Sequence, residues 1–260
     1  MAQMDGLTAL VTGASRGIGE AIAHRFAAAG AHVFVTARTV EEGDHVYSGS
    51  ITTTVQAIRD AGGSADAIAA DLGRAEDRQR LVEATGPSDV LVNNAAITYF
   101  EPASGFTESH YRVMFEVQVR APFELAQAYL PSMRDRQRGW ILNISSGAAV
   151  HPVGPPYTPM PGGTVYGMCK AALERFTSGL AAEVWNDGIA VNALSPSGLV
   201  VTPGVVHHKL DQRVPPEAHE PVSYMAEAAY ALCTGDPSVT TGKITYAKAI
   251  LEELGVPLPG

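Results

Sequence analysis

The sequence is short of charge, of cysteine and of long hydrophobic runs. Charged residues make up 17% of its 260 residues, below the roughly 25% of an average globular protein, and the formal net charge is −9. This acidic balance argues against a nucleic-acid surface and against a polybasic membrane patch. No apolar run approaches the ~18 residues of a membrane span, and Cys169 and Cys233 are too few for a disulfide framework or a metal-ligand cluster. We therefore expect no nucleic acid, membrane or metal partner.

No secretion signal is expected at the N-terminus. An apolar segment begins by Leu7, and neither a basic leader nor a small-residue cleavage site precedes it. A chain of 260 residues can bury a full core, and α/β folds often reach about 200–250 residues as one unit. We expect a cytoplasmic protein that folds as a single domain over residues 1–260.

Short apolar runs alternate with amphipathic stretches along the chain. The runs predict strands, and apolar residues spaced three and four apart predict helices. The predicted strands cover residues 7–11, 33–37, 66–70, 90–92, 140–144 and 190–194. The predicted helices cover residues 17–29, 51–61, 108–133 with a bend at Pro122, and 164–185 with Ala172, Phe176, Leu180 and Val184 facing inward. This alternation predicts the α/β class, with a doubly wound parallel sheet, helices on both faces and ligands beyond the carboxyl ends of the strands.

Two long loops interrupt this alternation. Residues 151–163 are rich in Pro and Gly, and residues 196–221 include a short predicted helix. The second loop contains His207, His208 and His219, but no carboxylate spacing beside them supports a metal site. We interpret it as a mobile lid over a ligand.

Five short motifs follow the predicted strands in a fixed order. Residues 12–19 read T-G-x-x-x-G-x-G at a strand-to-helix junction, residues 93–96 read N-N-A-A, and Ser145-Ser146 follows the fifth strand. Tyr166 and Lys170 lie four apart on one face of a predicted helix, and residues 192–198 read N-A-L-S-P-S-G. Alone, each motif has an ordinary explanation, such as a tight turn, a polar strand end or a solvated lysine. As an ordered set they resemble the short-chain dehydrogenase/reductase family, over roughly residues 6–202.

The resemblance implies a single-domain Rossmann fold that binds a nicotinamide cofactor mainly through residues 6–145, with catalysis and the substrate loops in residues 146–260. The glycines would let the backbone approach a pyrophosphate at a helix N-terminus. Asp71 would bind the adenine amino group, and it could also serve as a helix N-cap. Lys170 would bind the nicotinamide ribose, and Thr202 would reach the carboxamide. The implied cofactor-binding residues are Gly13, Ser15, Arg16, Gly17, Ile18, Arg38, Asp71, Leu72, Asn94, Ala95, Ala96, Tyr166, Lys170, Pro196 and Thr202.

The choice between NADP and NAD depends on the end of the second predicted strand. An acidic residue there would bind the ribose 2′-hydroxyl of NAD and repel the 2′-phosphate of NADP. This chain has Ala37 followed by Arg38, and Arg16 lies in the glycine-rich turn. Each arginine alone could be a solvated surface residue, but two guanidinium groups can clamp a phosphate. We therefore favour NADP, with NAD as the less favoured cofactor.

The resemblance also assigns catalytic groups. Tyr166 would donate a proton to a substrate carbonyl as hydride arrives from the nicotinamide, and Lys170 would keep the Tyr166 pKa low. Ser146, rather than Ser145, would hydrogen-bond the carbonyl oxygen. Two features depart from the family. The loop between Ser146 and Tyr166 is enlarged, and Gln118 stands where the family usually has an asparagine whose backbone holds a water in a proton relay to the lysine.

The implied substrate is a small, mainly apolar carbonyl compound or secondary alcohol. Apolar residues expected near it are Ile97, Tyr99, Phe100, Val153, Tyr157 and Val205. The Ala37-Arg38-Thr39 run and the enlarged loop are somewhat similar to hydroxysteroid dehydrogenase-like proteins, and the missing D-G-G ending disfavours acyl-carrier-protein substrates. We predict an NADP(H)-dependent oxidoreductase acting on the CH–OH group, which forms a homodimer or homotetramer through residues 108–133 and 164–185.

Two other functions remain open from the sequence. An epimerase or dehydratase uses the same Tyr–Lys pair, although such chains are usually longer. An NADP-binding regulator without turnover would fit Gln118 and the altered loop, although retention of Ser146, Tyr166 and Lys170 argues against it. Cys169, where many relatives have serine, is interpreted as a small buried helix residue rather than as a redox-sensitive thiol.

Overall fold

The strands of the computed structural model, which describes residues 3–157 and 162–259, form one parallel sheet of seven strands. In chain order they are β1 (Thr8–Thr12), β2 (His32–Ala37), β3 (Ser64–Ala69), β4 (Val90–Asn93), β5 (Gly139–Ile144), β6 (Ile189–Ser195) and β7 (Ile244–Tyr246). Their order across the sheet is β3–β2–β1–β4–β5–β6–β7. The chain therefore crosses from one edge at β3 to the centre at β4. That reversal leaves a crevice at the carboxyl ends of β1 and β4, where doubly wound sheets bind ligands.

Helices pack on both faces of this sheet, as predicted. They are α1 (Gly17–Ala28), α2 (Ile51–Asp60), α3 (Ala75–Thr85), α4 (Glu108–Phe115), α5 (Ala121–Arg136), α6 (Thr164–Glu183), α7 (Pro203–His207), α8 (Val222–Thr234) and α9 (Ala247–Glu253). One core cluster joins α1, α2, α8 and α9 to the sheet, and a second joins α3, α5 and α6 to it. Strands β4, β5 and β6 are buried along their whole length because both faces are covered. No helix in the described ranges is long and apolar enough to cross a membrane.

The six predicted strands agree with observed strands to within two residues at each end. The sequence does not predict α3, α8 or β7, because hydrophobic residues recur only weakly at helix or strand spacing in these segments. α3 is largely polar and buries only Arg78, Leu81 and Thr85, and α8 is rich in alanine, whose small side chains give a shallow pattern. β7 is only three residues long and partly exposed, so it joins the sheet through its backbone pairing with β6.

The stretch predicted as one helix over residues 108–133 contains a π turn. This turn, Glu116–Arg120, separates α4 from α5 and buries Val117 and Gln118. Pro122 lies in the first turn of α5, where a missing N–H is tolerated. The predicted bend at Pro122 is therefore wrong, because the irregularity is the π turn that precedes it, a feature often found at functional sites.

The inward face of α6 is only partly as predicted. Leu180 and Val184 are buried, but Ala172 and Phe176 are half-buried at the edge of the stripe. The inner stripe instead includes Thr177, whose hydroxyl accepts a hydrogen bond from Asn143 Nδ2 at 2.8 Å. A polar residue with a buried partner cannot be recognised from hydrophobic spacing alone.

Candidate active site

The turn between β1 and α1 lets a ligand approach the backbone closely. Gly13 and Gly17 have φ values of 64° and 62°, a region that favours glycine. A Cβ on Gly13 would lie 2.7 Å from Ala95 Cα, and one on Gly17 would lie 3.1 Å from Thr202 Cγ2. The turn leads directly into the N-terminus of α1, whose unpaired N–H groups and dipole favour an anion. These features fit the pyrophosphate of a dinucleotide.

Asn94 supports this turn from the end of β4. Its Nδ2 donates to the carbonyls of Thr12 at 2.9 Å and Gly13 at 3.1 Å. Thr12 Oγ1 in turn accepts the N–H groups of Asn94 and Ala95 at 3.0 and 3.1 Å. The Asn94 amide is thus committed to the turn, and a ribose here would meet the backbone and the exposed Ala96. The sequence assigns Thr12 no role of its own, although its position as the last residue of β1 could have indicated that its side chain supports the turn.

Asp71 lies two residues beyond β3. Its Oδ1 accepts the N–H of Gly73 at 3.0 Å, which closes a short turn. The N-cap position of α3 is occupied by Arg74, so the alternative of Asp71 as helix N-cap is wrong. The next residue, Leu72, is buried, and its carbonyl accepts a hydrogen bond from Arg78 Nη1 at 2.6 Å. This turn is rigid and projects from the strand end where an adenine would lie.

The two arginines predicted to bind a phosphate lie near one another. Arg16 Nη2 donates to Thr39 Oγ1 at 3.0 Å and to the carbonyl of Gly49 at 2.6 Å, which fixes it to the loop between β2 and α2. Arg38 is exposed immediately after β2. Burial lowers the pKa of Arg16, and the nearby charge of Arg38 contributes in the same direction. Two close cations at a strand end suit a bound dianion.

The other residues predicted to bind the cofactor flank the crevice. Ser15 is buried within the turn, Ile18 packs against the core, and Pro196 is half-buried just after β6. Thr202 is the N-cap of α7, where its Oγ1 accepts the N–H of Val205 at 3.3 Å. A cleft of about 560 Å³ lies between the glycine-rich turn and the segment that contains Thr202.

A buried carboxylate stabilises the loop after β6 at Ser197. Glu220 is 3% exposed, and its Oε2 accepts the N–H of Ser197 at 3.1 Å. Ser197 Oγ accepts the N–H of Lys248 at 2.9 Å, which ties the same loop to the start of α9. Burial raises the pKa of Glu220. Sequence reasoning missed Glu220 because its partner is 23 residues away.

Ser146 and Tyr166 meet at the carboxyl end of β5. The Ser146 hydroxyl lies close enough to the Tyr166 phenol to lower its pKa, and it accepts the N–H of Ala148 at 3.2 Å. The neighbouring Ser145 is buried, and its hydroxyl donates to Glu174 Oε1 at 2.7 Å. Of the two serines, Ser146 therefore contacts the phenol.

Lys170 lies one helical turn after Tyr166 and is 3% exposed. Its Nζ donates to the carbonyl of Ile144 at 2.8 Å and lies 5.6 Å from the centre of the Tyr166 ring. Burial lowers the pKa of Lys170 to about 8. The ammonium group can therefore carry charge at neutral pH and release its proton under mildly alkaline conditions.

Tyr166 differs from the prediction in its acidity. Burial raises the pKa of Tyr166, and the nearby Ser146 hydroxyl only partly opposes this effect. Burial also outweighs the predicted lowering by Lys170, whose ammonium group donates to the Ile144 carbonyl. The phenol is protonated at neutral pH, which is the state a proton donor needs.

Gln118 is buried in the π turn. Its Nε2 donates to the carbonyl of Ile97 at 2.8 Å, so it holds the segment that follows β4. Its Oε1 is buried and has no hydrogen-bond partner within residues 3–157 and 162–259. A buried acceptor of this kind suits a bound donor such as a water. The glutamine side chain, which is longer than the asparagine usual in the family, thus reaches the segment after β4 directly.

Aromatic and imidazole rings form one wall of the site. Phe100 lies between Tyr166 and His208, with ring centres 6.3 and 5.2 Å away. Of the apolar residues predicted here, Ile97 and Tyr99 pack against the same buried cluster as Tyr166, and Val205 is half-buried on α7. Val153 and Tyr157 do not join them, since they are 90% and 62% exposed. Part of the predicted loop, residues 158–161, lies outside the described residues.

No group of three or more His, Cys, Asp or Glu side chains in the described ranges could hold a metal ion. His207 and His208 contact each other, with ring centres 5.1 Å apart, and His219 is hydrogen-bonded to the Val214 carbonyl. Cys169 is buried, and burial raises its pKa to about 11, which makes it an inert thiol as interpreted from the sequence.

Comparisons with known proteins agree with this geometry. The family model described as short chain dehydrogenase matches residues 7–212. The chain is 36% identical to a short chain dehydrogenase of Pseudocercospora fijiensis over 76% of this chain and 61% of that protein, so it spans about three fifths of that relative. It is 32% identical to 3beta-hydroxysteroid dehydrogenase 1 of Eggerthella lenta over 94% of this chain and 92% of that protein.

A solved structure shows the same fold. The 3-oxoacyl (acyl-carrier-protein) reductase of Agrobacterium tumefaciens with NADP bound has a TM-score of 0.79 and 30% identity, covering 94% of this chain and 93% of that one. The strand order, the glycine-rich turn and the Ser–Tyr–Lys cluster account for the likeness in physical terms. This chain is a member of the short-chain dehydrogenase/reductase family of oxidoreductases.

Proposed function

We propose that this protein is an NADP(H)-dependent oxidoreductase that interconverts an apolar ketone and the corresponding secondary alcohol. The observation that carries the proposal is the cluster at the end of β5, where the Ser146 hydroxyl and the buried Lys170 both lie close to Tyr166. The glycine-rich turn and the Arg16–Arg38 pair support a dinucleotide with a 2′-phosphate. The NADP bound to the similar Agrobacterium reductase supports the same cofactor.

The chain's own residues divide the chemistry among them. A nicotinamide held along the crevice would supply or accept the hydride. Ser146 would donate a hydrogen bond to the substrate oxygen and stabilise the charge that develops there. Tyr166 would transfer its phenolic proton to the same oxygen, and Lys170 would stabilise the resulting phenolate. Gln118 would hold the segment at Ile97 against the bound substrate.

Several features support an apolar substrate. Phe100 lies between Tyr166 and His208, and Ile97 and Tyr99 pack against the same buried cluster as Tyr166. The likeness to a 3beta-hydroxysteroid dehydrogenase over nearly the whole chain supports testing steroid ketones first.

Direct assays test this proposal. NADPH should bind at least tenfold more tightly than NADH, because Arg16 and Arg38 lie near one another and Ala37 stands where an acidic residue would bind the ribose 2′-hydroxyl. Fluorescence titration of both cofactors would measure this, and equal dissociation constants would refute the NADP preference. A panel of steroid and aryl ketones, followed by NADPH absorbance, would measure turnover.

The same assays separate the other two functions. An epimerase or dehydratase would change its substrate with no net NADPH consumption, which product analysis detects. A regulator would bind NADPH without turning over any compound of the panel. The position of Ser146 close to the Tyr166 phenol favours the oxidoreductase over the regulator, since it keeps the proton donor beside its polarising partner.

We also propose that the chain is a single domain that self-associates. Strands from both halves share one sheet, which supports a single domain. Tyr111, Phe123 and Met168, on α4, α5 and α6, are 37%, 49% and 46% exposed. Exposed apolar residues on these helices support an interface between copies of the chain.

A further inference from the structure

His45 lies in the loop between β2 and α2 and contacts Arg16 directly. Arg16 Nη1 is 3.1 Å from His45 Nδ1. A guanidinium group can only donate hydrogen bonds, so Nδ1 must accept. The backbone N–H of Tyr47 donates to the same nitrogen at 3.1 Å. Two donors on one nitrogen fix the orientation of the imidazole ring.

These two hydrogen bonds also fix the tautomer of His45. Because Nδ1 needs its lone pair for both donors, the neutral ring carries its proton on Nε2. This N–H group makes no hydrogen bond to another residue in the described ranges, and the side chain is half-buried. His45 therefore presents a donor whose direction is set by Arg16 and Tyr47.

Charged and titratable groups surround His45 on three sides. Arg16 belongs to the turn before α1, Arg38 follows β2, and His207 on α7 packs at a tilt against Tyr47 with ring centres 4.8 Å apart. Burial and these positive groups lower the pKa of His45, so the neutral form dominates at neutral pH. The acidic groups of this loop have other partners: Glu42 accepts the N–H of Gly49 at 3.0 Å, Asp44 accepts the N–H of Glu41 at 2.9 Å, and Glu41 accepts the Thr52 hydroxyl at 3.1 Å.

We propose that His45 is a third ligand of the 2′-phosphate of NADP(H), with Arg16 and Arg38. In this arrangement Nε2–H donates to a phosphate oxygen while Nδ1 holds Arg16 in position. The inference rests on the proposed NADP preference. It follows from the place of His45 beside both arginines at the end of β2, where the adenosine ribose of a dinucleotide lies in this fold.

The proposal has a consequence for pH dependence. The arrangement requires the neutral ring, because a second proton would occupy Nδ1, which accepts the Arg16 and Tyr47 donors. The lowered pKa of His45 keeps the ring neutral at neutral pH. The 2′-phosphate itself takes up a proton near pH ~6, so the affinities of the wild type and a His45 variant must be compared above that pH.

Two substitutions separate the two nitrogens of His45. His45→Gln keeps a donor near the Nε2 position and loses the Nδ1 acceptor, whereas His45→Asn keeps an acceptor near Nδ1 and loses the Nε2 donor. The dissociation constants of NADPH and NADH would be measured for the wild type, both variants and His45→Ala between pH 6.5 and 8.5. His32→Ala at the start of β2 is the matched control, because it removes an imidazole at the opposite end of that strand from the crevice.

The expected result is specific to the 2′-phosphate. His45→Ala and His45→Asn should weaken NADPH binding roughly tenfold, as expected for loss of one hydrogen bond to a charged group, and leave NADH binding within twofold. His45→Gln should retain most of the NADPH affinity. Relative to His45→Asn, the wild type should keep a constant advantage in NADPH affinity between about pH 7 and 8.5, where the ring is neutral.

Other outcomes overturn the proposal in distinguishable ways. If His45→Asn retains NADPH affinity while His45→Gln loses it, His45 only positions Arg16 and is not a ligand. If no His45 variant changes the ratio of NADPH to NADH affinity, His45 has no role at the 2′ position. If the wild type itself binds NADPH and NADH equally, the proposed NADP preference fails before His45 is tested.

Discussion

The floor of the crevice and the loops around its mouth differ in how they are held. On the floor, Thr12, Asn94 and Lys170 are tied to backbone carbonyls or N–H groups of the sheet and its glycine-rich turn. At the mouth, Phe100 and His208 are held by ring contacts between loops and α7. Backbone hydrogen bonds fix positions closely, whereas ring contacts can be rearranged at small cost. The floor therefore suits chemistry shared by the family, and the mouth suits selection of a substrate.

The largest effect should come from the floor. Tyr166→Phe removes the proton donor beside Ser146 while leaving the packing of the ring almost unchanged. We expect turnover to fall by a factor of ~10² or more. Steady-state assays with NADPH and any ketone that the wild type reduces would measure this loss. Unchanged NADPH affinity in the variant would show that the fold is intact, and wild-type turnover would remove Tyr166 from the mechanism.

A pH profile tests the second group on the floor. The pKa of Lys170 is lowered from 10.5 to about 8, so its charge is lost above that pH. We expect kcat/KM for ketone reduction to be constant below about pH 8 and to fall up to about tenfold per pH unit above it. A profile that stays flat to pH 10 would contradict the role of the Lys170 charge.

The lowered pKa of Lys170 also predicts how the stability of the fold changes with pH, which provides a control for unfolding. Lys170 has a lower pKa in the folded chain than in the unfolded chain, so between about pH 8 and 10.5 the unfolded chain binds more protons at this site. This group therefore makes the free energy of unfolding rise with pH across that window. Urea unfolding at each pH would show whether lost activity reflects chemistry or lost structure.

The floor was far easier to predict from the sequence than the mouth. Tyr166, Lys170 and Ser146 lie at the ends of strands and on one face of a helix, so regular geometry brings them together. Contacts such as Glu220 with Ser197, or His45 with Arg16, join loops that are 23 and 29 residues apart. No periodicity encodes such a contact. The exposure of Val153 could not be predicted either, because an apolar side chain in a loop does not indicate whether the loop packs against the site or faces solvent.

A matched pair of substitutions at the mouth should have a smaller effect. Phe100→Ala removes a ring that lies between Tyr166 and His208, and losing about 1–2 kcal/mol of apolar contact should raise the KM for the ketone roughly tenfold. Val153→Ala, at a residue that is 90% exposed, should change the KM less than twofold. If the Val153 variant had the larger effect, the loop at residues 151–157 would belong to the substrate site after all.

The smallest expected effect lies where the floor and the mouth are joined. Gln118→Leu keeps most of the side-chain volume but leaves the Ile97 carbonyl without its donor, at a cost of about 1–3 kcal/mol in the free energy of unfolding. The buried Oε1, which has no partner in the described ranges, makes the low end of that range the better expectation, because its removal relieves an unpaired acceptor. Urea unfolding would measure the change. Gln79→Leu on the exposed side of α3, where the amide bonds only Glu83, is the control and should stay within about 0.5 kcal/mol. Equal effects at the two positions would mean that Gln118 does not tie the segment after β4 to the π turn.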